Sequence, residues 1–257
     1  MASLGQGSAK VDLVLNQDQF APGDEINGTL HVYGGTVEQS IDNIEVTLEL
    51  EIHNDENYFH HTVYRIPIPV EFEIAPEERT TFPFTFHLPS NIPISGNTIS
   101  YFFQTQLSII GGIDHKDSDP ITIVPPTGLQ NVLTALQQLG FYEKQNSRMI
   151  DHDAQLFAFA PSDYRNEQFH EITFTVTVLP VGLEILLNVD TTTSGKKEHL
   201  IFLEHAILYD RYELASYWNE FLKKVVVSRE TTTHYYSQFS GTNAAIGGYA
   251  AGGLKNR

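Results

Sequence analysis

The sequence predicts an all-β protein built as two antiparallel β-sandwich domains, with short helices in the second half. Three observations predict it. Apolar and polar residues alternate at period two, most clearly where Ile44, Val46, Leu48, Leu50 and Ile52 interleave with Glu45, Thr47, Glu49 and Glu51. That pattern sets one face on a core and the other in water, whereas a helix would scatter the glutamates around its circumference. Turn residues punctuate the apolar runs, as in Pro22-Gly23-Asp24 and Gly34-Gly35. The 257 residues, 41% of them hydrophobic, suffice for two cores.

Taken in order, Val11, Leu13 and Leu15 open the first strand. Pro22 presets φ and Gly23 tolerates a positive φ, so the chain turns before Ile26, Gly28, Leu30 and Val32 alternate with polar neighbours. The Ile44–Ile52 strand follows, and the polar run from His53 to His61 reads as an exposed hairpin loop. Ile66, Ile68, Val70, Phe72 and Ile74 form an inward row whose outward partners include Pro67 and Pro69. Proline cannot donate to a ladder, so this strand sits at an edge or breaks at a bulge. Phe82, Phe84, Phe86 and Leu88 make the next inward row, and Ile121 with Ile123 close a first domain spanning 1–125.

Pro125-Pro126 marks the boundary and a stiff inter-domain hinge. Beyond it, Thr127 reads as an N-cap with Gln130 as capping-box partner. Leu129, Val132, Leu133 and Leu136 follow helical spacing up to Gly140, a C-cap glycine. Strands at Ile172–Val178, Leu183–Val189 and His199–His205 and a helix at Glu213–Val225 complete a second sandwich with two short helices, spanning 126–239. Residues 240–257 form a flexible tail rich in Gly and Ala.

Composition excludes several functions. With no Cys, disulfides, thiolate metal sites and Cys nucleophiles are ruled out. Through Pro125 the chain has 4 Lys or Arg against 18 Asp or Glu, a net of −14 within a total of −17. Charge of that density repels phosphate, which argues against nucleic acid as a partner of the first half; it reads first as a solvated acidic surface, with a basic protein partner as the alternative. The N-terminus reads as lacking a secretory signal, and no run approaches the ~20 apolar residues of a transmembrane segment. A cytoplasmic location is expected.

The ordered motifs carry a resemblance. F-x-P-G-D-x-I-x-G-x-L-x-V-x-G-G from Phe20, with Pro22, Gly23, Gly28, Gly34 and Gly35 as structural turn positions, is followed by Gln39, Ile41 and the alternating strand. Ala2-Ser3-Leu4-Gly5 leads into Lys10-Val11-Asp12, FHLPSNIPIS spans Phe86–Ser95, and Asp114, Asp117 and Asp119 precede Ile121 and Ile123. Together these resemble the bacterial sporulation-control family of the stage-zero M type. The resemblance implies an arrestin-like fold and a non-catalytic regulatory adaptor acting through protein contacts in spore formation and stress response.

The residues themselves point to little chemistry. No nucleophile elbow, P-loop or zinc-protease helix is present, so no enzyme and no cofactor are expected. His199 and His205 on one strand would lie roughly 20 Å apart, too far for one metal, and read as solvated, as do His60, His61 and His152. Asp114, Asp117 and Asp119 form the best oxygen cluster and a weak Ca²⁺ candidate, although aspartates in that position also serve as turn formers. The alternative function is thus a sandwich that binds carbohydrate or Ca²⁺. Open sheet edges make a homodimer conceivable.

Overall fold

A computed structural model describes residues 7–53, 58–162, 166–227 and 232–236. The chain divides into two compact units: Met1–Ser90 with Thr98–Val124, and Asn91–Asn97 with Pro125–Arg257.

The first unit is a two-layer sandwich. One layer is a three-stranded antiparallel sheet in the order β1 (Lys10–Leu15), β3 (Glu25–Tyr33), β7 (Arg79–His87). The other has the order β2 (Gln19–Phe20), β9 (His115–Ile123), β8 (Ile99–Ile109), β4 (Gln39–His53), β5 (Tyr58–Ile68), with β6 (Phe72–Ile74) also paired to β4. The period-two rows land where their parity sends them. Ile44, Val46 and Leu48 of β4 are fully buried, as are Ile26, Leu30 and Val32 of β3. Phe84 and Phe86 meet Phe103 of the opposite layer edge-to-face at 5.5 and 6.0 Å, contacts worth about 0.5–1.5 kcal/mol each beyond their burial.

The predicted edge with prolines resolves into two strands. β5 is the outer strand of its sheet and ends at Ile68, its ladder with β4 shifting register between Leu48 and Glu49; β6 resumes at Phe72. The expected loop His53–His61 is shorter than the polarity suggested, because β4 runs through His53 and β5 begins at Tyr58. His60 and His61 are therefore strand residues. Asp117 and Asp119 likewise lie within β9 and not in the loop before it.

Two turns show why glycine stands where it does. Gly23 adopts φ +91° between β2 and β3, and Asp24 folds back so that its carboxylate accepts from the Ala21 N–H at 2.7 Å. At the end of β3, the Gly34 N–H donates to Glu78 O at 2.8 Å, and a Cβ on Gly34 would run into the Ala75 carbonyl.

In the second unit one antiparallel network carries most of the strands, in the order β10 (Phe141–Glu143), β12 (Ala154–Pro161), β13 (Phe169–Leu179), β14 (Gly182–Thr191), β15 (Gly195–Glu204). β11 (Met149–Asp151) pairs with β12, and β16 (Thr232–Tyr236) adds in parallel to β15. Three helices accompany it: α1 (Thr127–Gln138), α2 (His205–Tyr209) and α3 (Arg211–Val227). α2 was not expected, since β15 hands over to it at His205. α3 starts on Asp210, whose carboxylate accepts from the Tyr212 and Glu213 N–H groups at 3.0 Å each, an N-cap. Trp218 is fully buried, Phe221 packs against His199 of β15, and the Lys197 ammonium donates to Val225 O at 2.6 Å, in the last turn of the helix. A cation there complements the carbonyl end of the helix dipole.

Thr127 does not cap α1. It is the first helical residue, Pro126 occupies the cap position, and no side chain bonds the free N–H groups. Gln130 instead donates to the Thr134 hydroxyl at 3.2 Å. Gly140, with φ +87°, ends the helix as expected. The segment Asn91–Asn97 belongs to this unit through Gln155, which accepts from the Ile94 N–H at 2.9 Å and donates to Ile94 O at 2.8 Å. Arg148 binds Glu143 through two nitrogens, at 2.8 and 3.0 Å, and Ser95 O through the third, at 3.1 Å. The tail 240–257 lies outside the described residues.

Gly34→Ala is expected to destabilise the protein by about 1–3 kcal/mol, because backbone on both sides must move to admit the methyl. Urea unfolding reads this directly. An unchanged midpoint would show that the close approach is not a constraint.

Candidate functional site

The outward face of the six-stranded sheet follows from the same alternation that fills the core. With Ile44, Val46 and Leu48 turned inward, Glu45, Thr47, Glu49 and Glu51 point out, and β5 and β8 place partners on either side. Glu45 lies 3.1 Å from Arg65. The Glu51 carboxylate accepts from the Tyr58 hydroxyl at 2.6 Å and lies 3.6 Å from His53 Nε2. That hydrogen bond to Glu51 pushes the Tyr58 phenol above its ordinary pKa.

Glu49 is the buried carboxylate on this face, its side chain only 4% exposed. One oxygen accepts from the Thr62 hydroxyl at 3.1 Å, and the other lies 3.0 Å from His60 Nε2. That second oxygen has no other donor among the described residues, so it is satisfied only when His60 presents a proton there. The His60 ring stacks on Phe102, the cross-strand neighbour of Glu49, with centroids 5.9 Å apart. The result is an acidic face with an aromatic and imidazole strip beside it, chemistry suited to attracting a cationic group.

A second acidic feature lies at the seam where β1 meets β9. β1 is the edge of its sheet, and side chains of β9 satisfy its free backbone donors. His115 Nδ1 accepts from the Val11 N–H and Asp117 from the Leu13 N–H, each at 3.2 Å. Carboxylate oxygens of Asp12, Asp117 and Asp119 lie within 4.8 Å of one another. Burial, then the neighbouring Asp117 and Asp12, raise the Asp119 pKa to about 7. His115 is lowered, chiefly by burial.

The sequence-predicted oxygen cluster is thus rearranged. Asp117 and Asp119 come together, but their third member is Asp12, far away in sequence. Asp114 is a turn residue, its two oxygens accepting from the Ile109 N–H at 3.0 Å and from Gln106 at 3.1 Å. Strand pairing between β1 and the rest of the unit decides this, and no local spacing could have shown it.

His199 corrects another expectation. It is buried and not solvated, packed edge-on against Phe221 at 5.3 Å, and burial followed by the Lys197 charge lowers its pKa. His205 sits at the start of α2 and contacts Tyr209. The second unit also has an open cleft of about 310 Å³ beside α3, lined by the amides Gln138, Gln168 and Asn219 over Phe141 and Phe169.

A sequence profile of the Spo0M family, described as SpoOM protein, matches residues 1–193. The chain belongs to the SpoOM protein family. Among relatives of this SpoOM-family chain is the sporulation-control protein spo0M of Bacillus subtilis (strain 168), 34% identical over 212 residues, covering 76% of this chain and 80% of the relative. The crystal structure of Spo0M, sporulation control protein, from Bacillus subtilis superposes with a TM-score of 0.68 at 30% identity, over 85% of this chain and 99% of that one. The arrestin-like β-sandwich fold and a sporulation-control role follow from these matches.

The SpoOM-family seam makes a pH-dependent prediction. Because the folded value of Asp119, about 7, exceeds the ordinary carboxylate value of 3.8, its protonated form favours the fold. That contribution is complete below the ordinary value and is lost as pH rises to about 7. Asp119→Asn should therefore be stabilised relative to the parent above that window, by on the order of 1 kcal/mol after discounting for a half-exposed group. Melting temperatures of both proteins across the window test this. A constant difference would contradict it.

Proposed function

We propose that the chain is a non-catalytic regulatory adaptor, cytoplasmic, that acts through protein–protein contacts in the control of spore formation and the stress response. The observation that carries this reading is the acidic outer face of β4 with its flanking Tyr58, His60 and Phe102. Each glutamate there is already held by a neighbouring donor, which suits a fixed electrostatic surface. The strongly perturbed carboxyl of the first unit, Asp119, is accounted for by the seam and its neighbours Asp117 and Asp12. Family membership supports the sporulation-control part of the reading. Pro125 and Pro126, where the chain returns to the second unit, are its proposed hinge.

A second reading, a sandwich that binds Ca²⁺, draws on Asp12, Asp117 and Asp119. It expects millimolar Ca²⁺ to raise the melting temperature and Asp12→Asn to abolish the effect, whereas the adaptor reading expects no change.

Affinity capture of the tagged protein from sporulating cells of its own host tests the adaptor reading. A stoichiometric protein partner is expected, released as ionic strength rises because the contacts are charged. Captures that stay empty while the protein is abundant and folded would overturn the reading.

A further inference from the structure

We propose that the Tyr58–Thr62 half of β5 is a docking edge at which an extended, basic segment of a partner protein adds as a further strand. The inference rests on the adaptor reading and names its partner's chemistry. The six-stranded sheet has two edges, and they are treated differently. At one, β2 pairs with Thr122 and Ile123 of β9, and β1 lies against the remainder of β9, donating backbone N–H groups to His115 and Asp117. At the other, β5 pairs only with β4, and among the described residues nothing pairs with its outer side. An antiparallel strand in that position turns half of its N–H and C=O groups outward, ready to bond another chain.

Folds usually blunt such an edge with proline, lysine or a bulge. In β5 those devices lie toward the C-terminal half, where the ladder shifts register past Thr62 and Pro67 follows. Tyr58 to Thr62, Tyr-Phe-His-His-Thr, has none of them. Its exposure also looks like that of a strand short of a neighbour. Phe59 pairs with Ile52 and points to the core side of the sheet, yet it is 45% exposed, while Tyr58 on the other side is 58% exposed. A strand laid alongside would cover both.

Charge selects the occupant. The Glu51 carboxylate stands one strand away on the outer face, within reach of a lysine or arginine side chain on an added strand, and Glu49, buried under His60, lies within about one Debye length at physiological salt. The first 125 residues carry the net of −14 that would steer such a segment in. A second copy of this chain pairing through β5 would instead bring two acidic faces together.

The test uses the full chain and a fluorescein-labelled peptide of alternating Lys and Val, with two controls: a Glu-Val peptide and a Lys-Val peptide N-methylated at alternate residues. The Lys-Val peptide should bind, both controls should bind at least about tenfold more weakly, and amide exchange within 58–62 should slow. Glu51→Lys should weaken binding about tenfold, while Glu220→Lys on α3, with the same net charge, should change it less than about twofold. Circular dichroism confirms that both variants fold.

Equal binding to the two variants, equal binding of the N-methylated peptide, or protection elsewhere would overturn the docking edge. So would concentration-dependent dimerisation that the peptide does not compete with. If the peptide fails while capture returns the same salt-sensitive partner from the parent and from Glu51→Lys, the adaptor reading stands and this edge does not carry it.

Discussion

Much of the first unit depends on one constraint, the parity of β4. This strand is flanked by β8 on one side and by β5 and β6 on the other. Its inward row is sealed in the core, so its register cannot slip by one residue without turning Ile44, Val46 and Leu48 into water. Glu45, Glu49 and Glu51 are then obliged to face outward. The acidic face is therefore a by-product of the strongest packing in the unit, held as rigidly as the core beneath it. A surface positioned in that way can present charge without the entropy cost of ordering a loop.

Where backbone pairing runs out, side chains complete it. Among the described residues no strand pairs with the outer side of β1, and His115 and Asp117 of β9 accept its N–H groups instead. In the second unit Gln155 takes the part of a strand for Ile94, bonding both its N–H and its carbonyl. Lys197 meets the last turn of α3 at Val225. Each of these leaves an ionisable or amide side chain in a partly dry place. Raised and lowered pKa values at Asp119, His115 and His199 follow from that burial.

The same division separates what was legible in the sequence from what was not. The alternating rows of β3, β4, β7, β13 and β14, the glycine turns and the helical spacing of α1 and α3 are local patterns, and the structure places them where the patterns do. Partners distant in sequence were hidden. Asp12 joins Asp117 and Asp119 only because β1 lies against β9, and His199 is dry only because α3 lies over β15. Thr127 and Gln130 form a plausible capping box on paper, but Pro126 takes the cap position. The outer face was half legible: its acidity is evident from alternation, whereas the burial of Glu49 under His60 and Thr62 requires the register of β5.

Family membership and the arrestin-like fold give the acidic face a setting, control of sporulation. The central claim is that this face serves binding and not folding. The most direct measurement pairs equilibrium urea unfolding with partner capture for the double variant Glu45→Gln, Glu51→Gln. Both side chains are solvent-accessible, so stability should move by less than about 1 kcal/mol, while the captured partner should fall away. A large loss of stability, or a partner retained in full, would contradict the account.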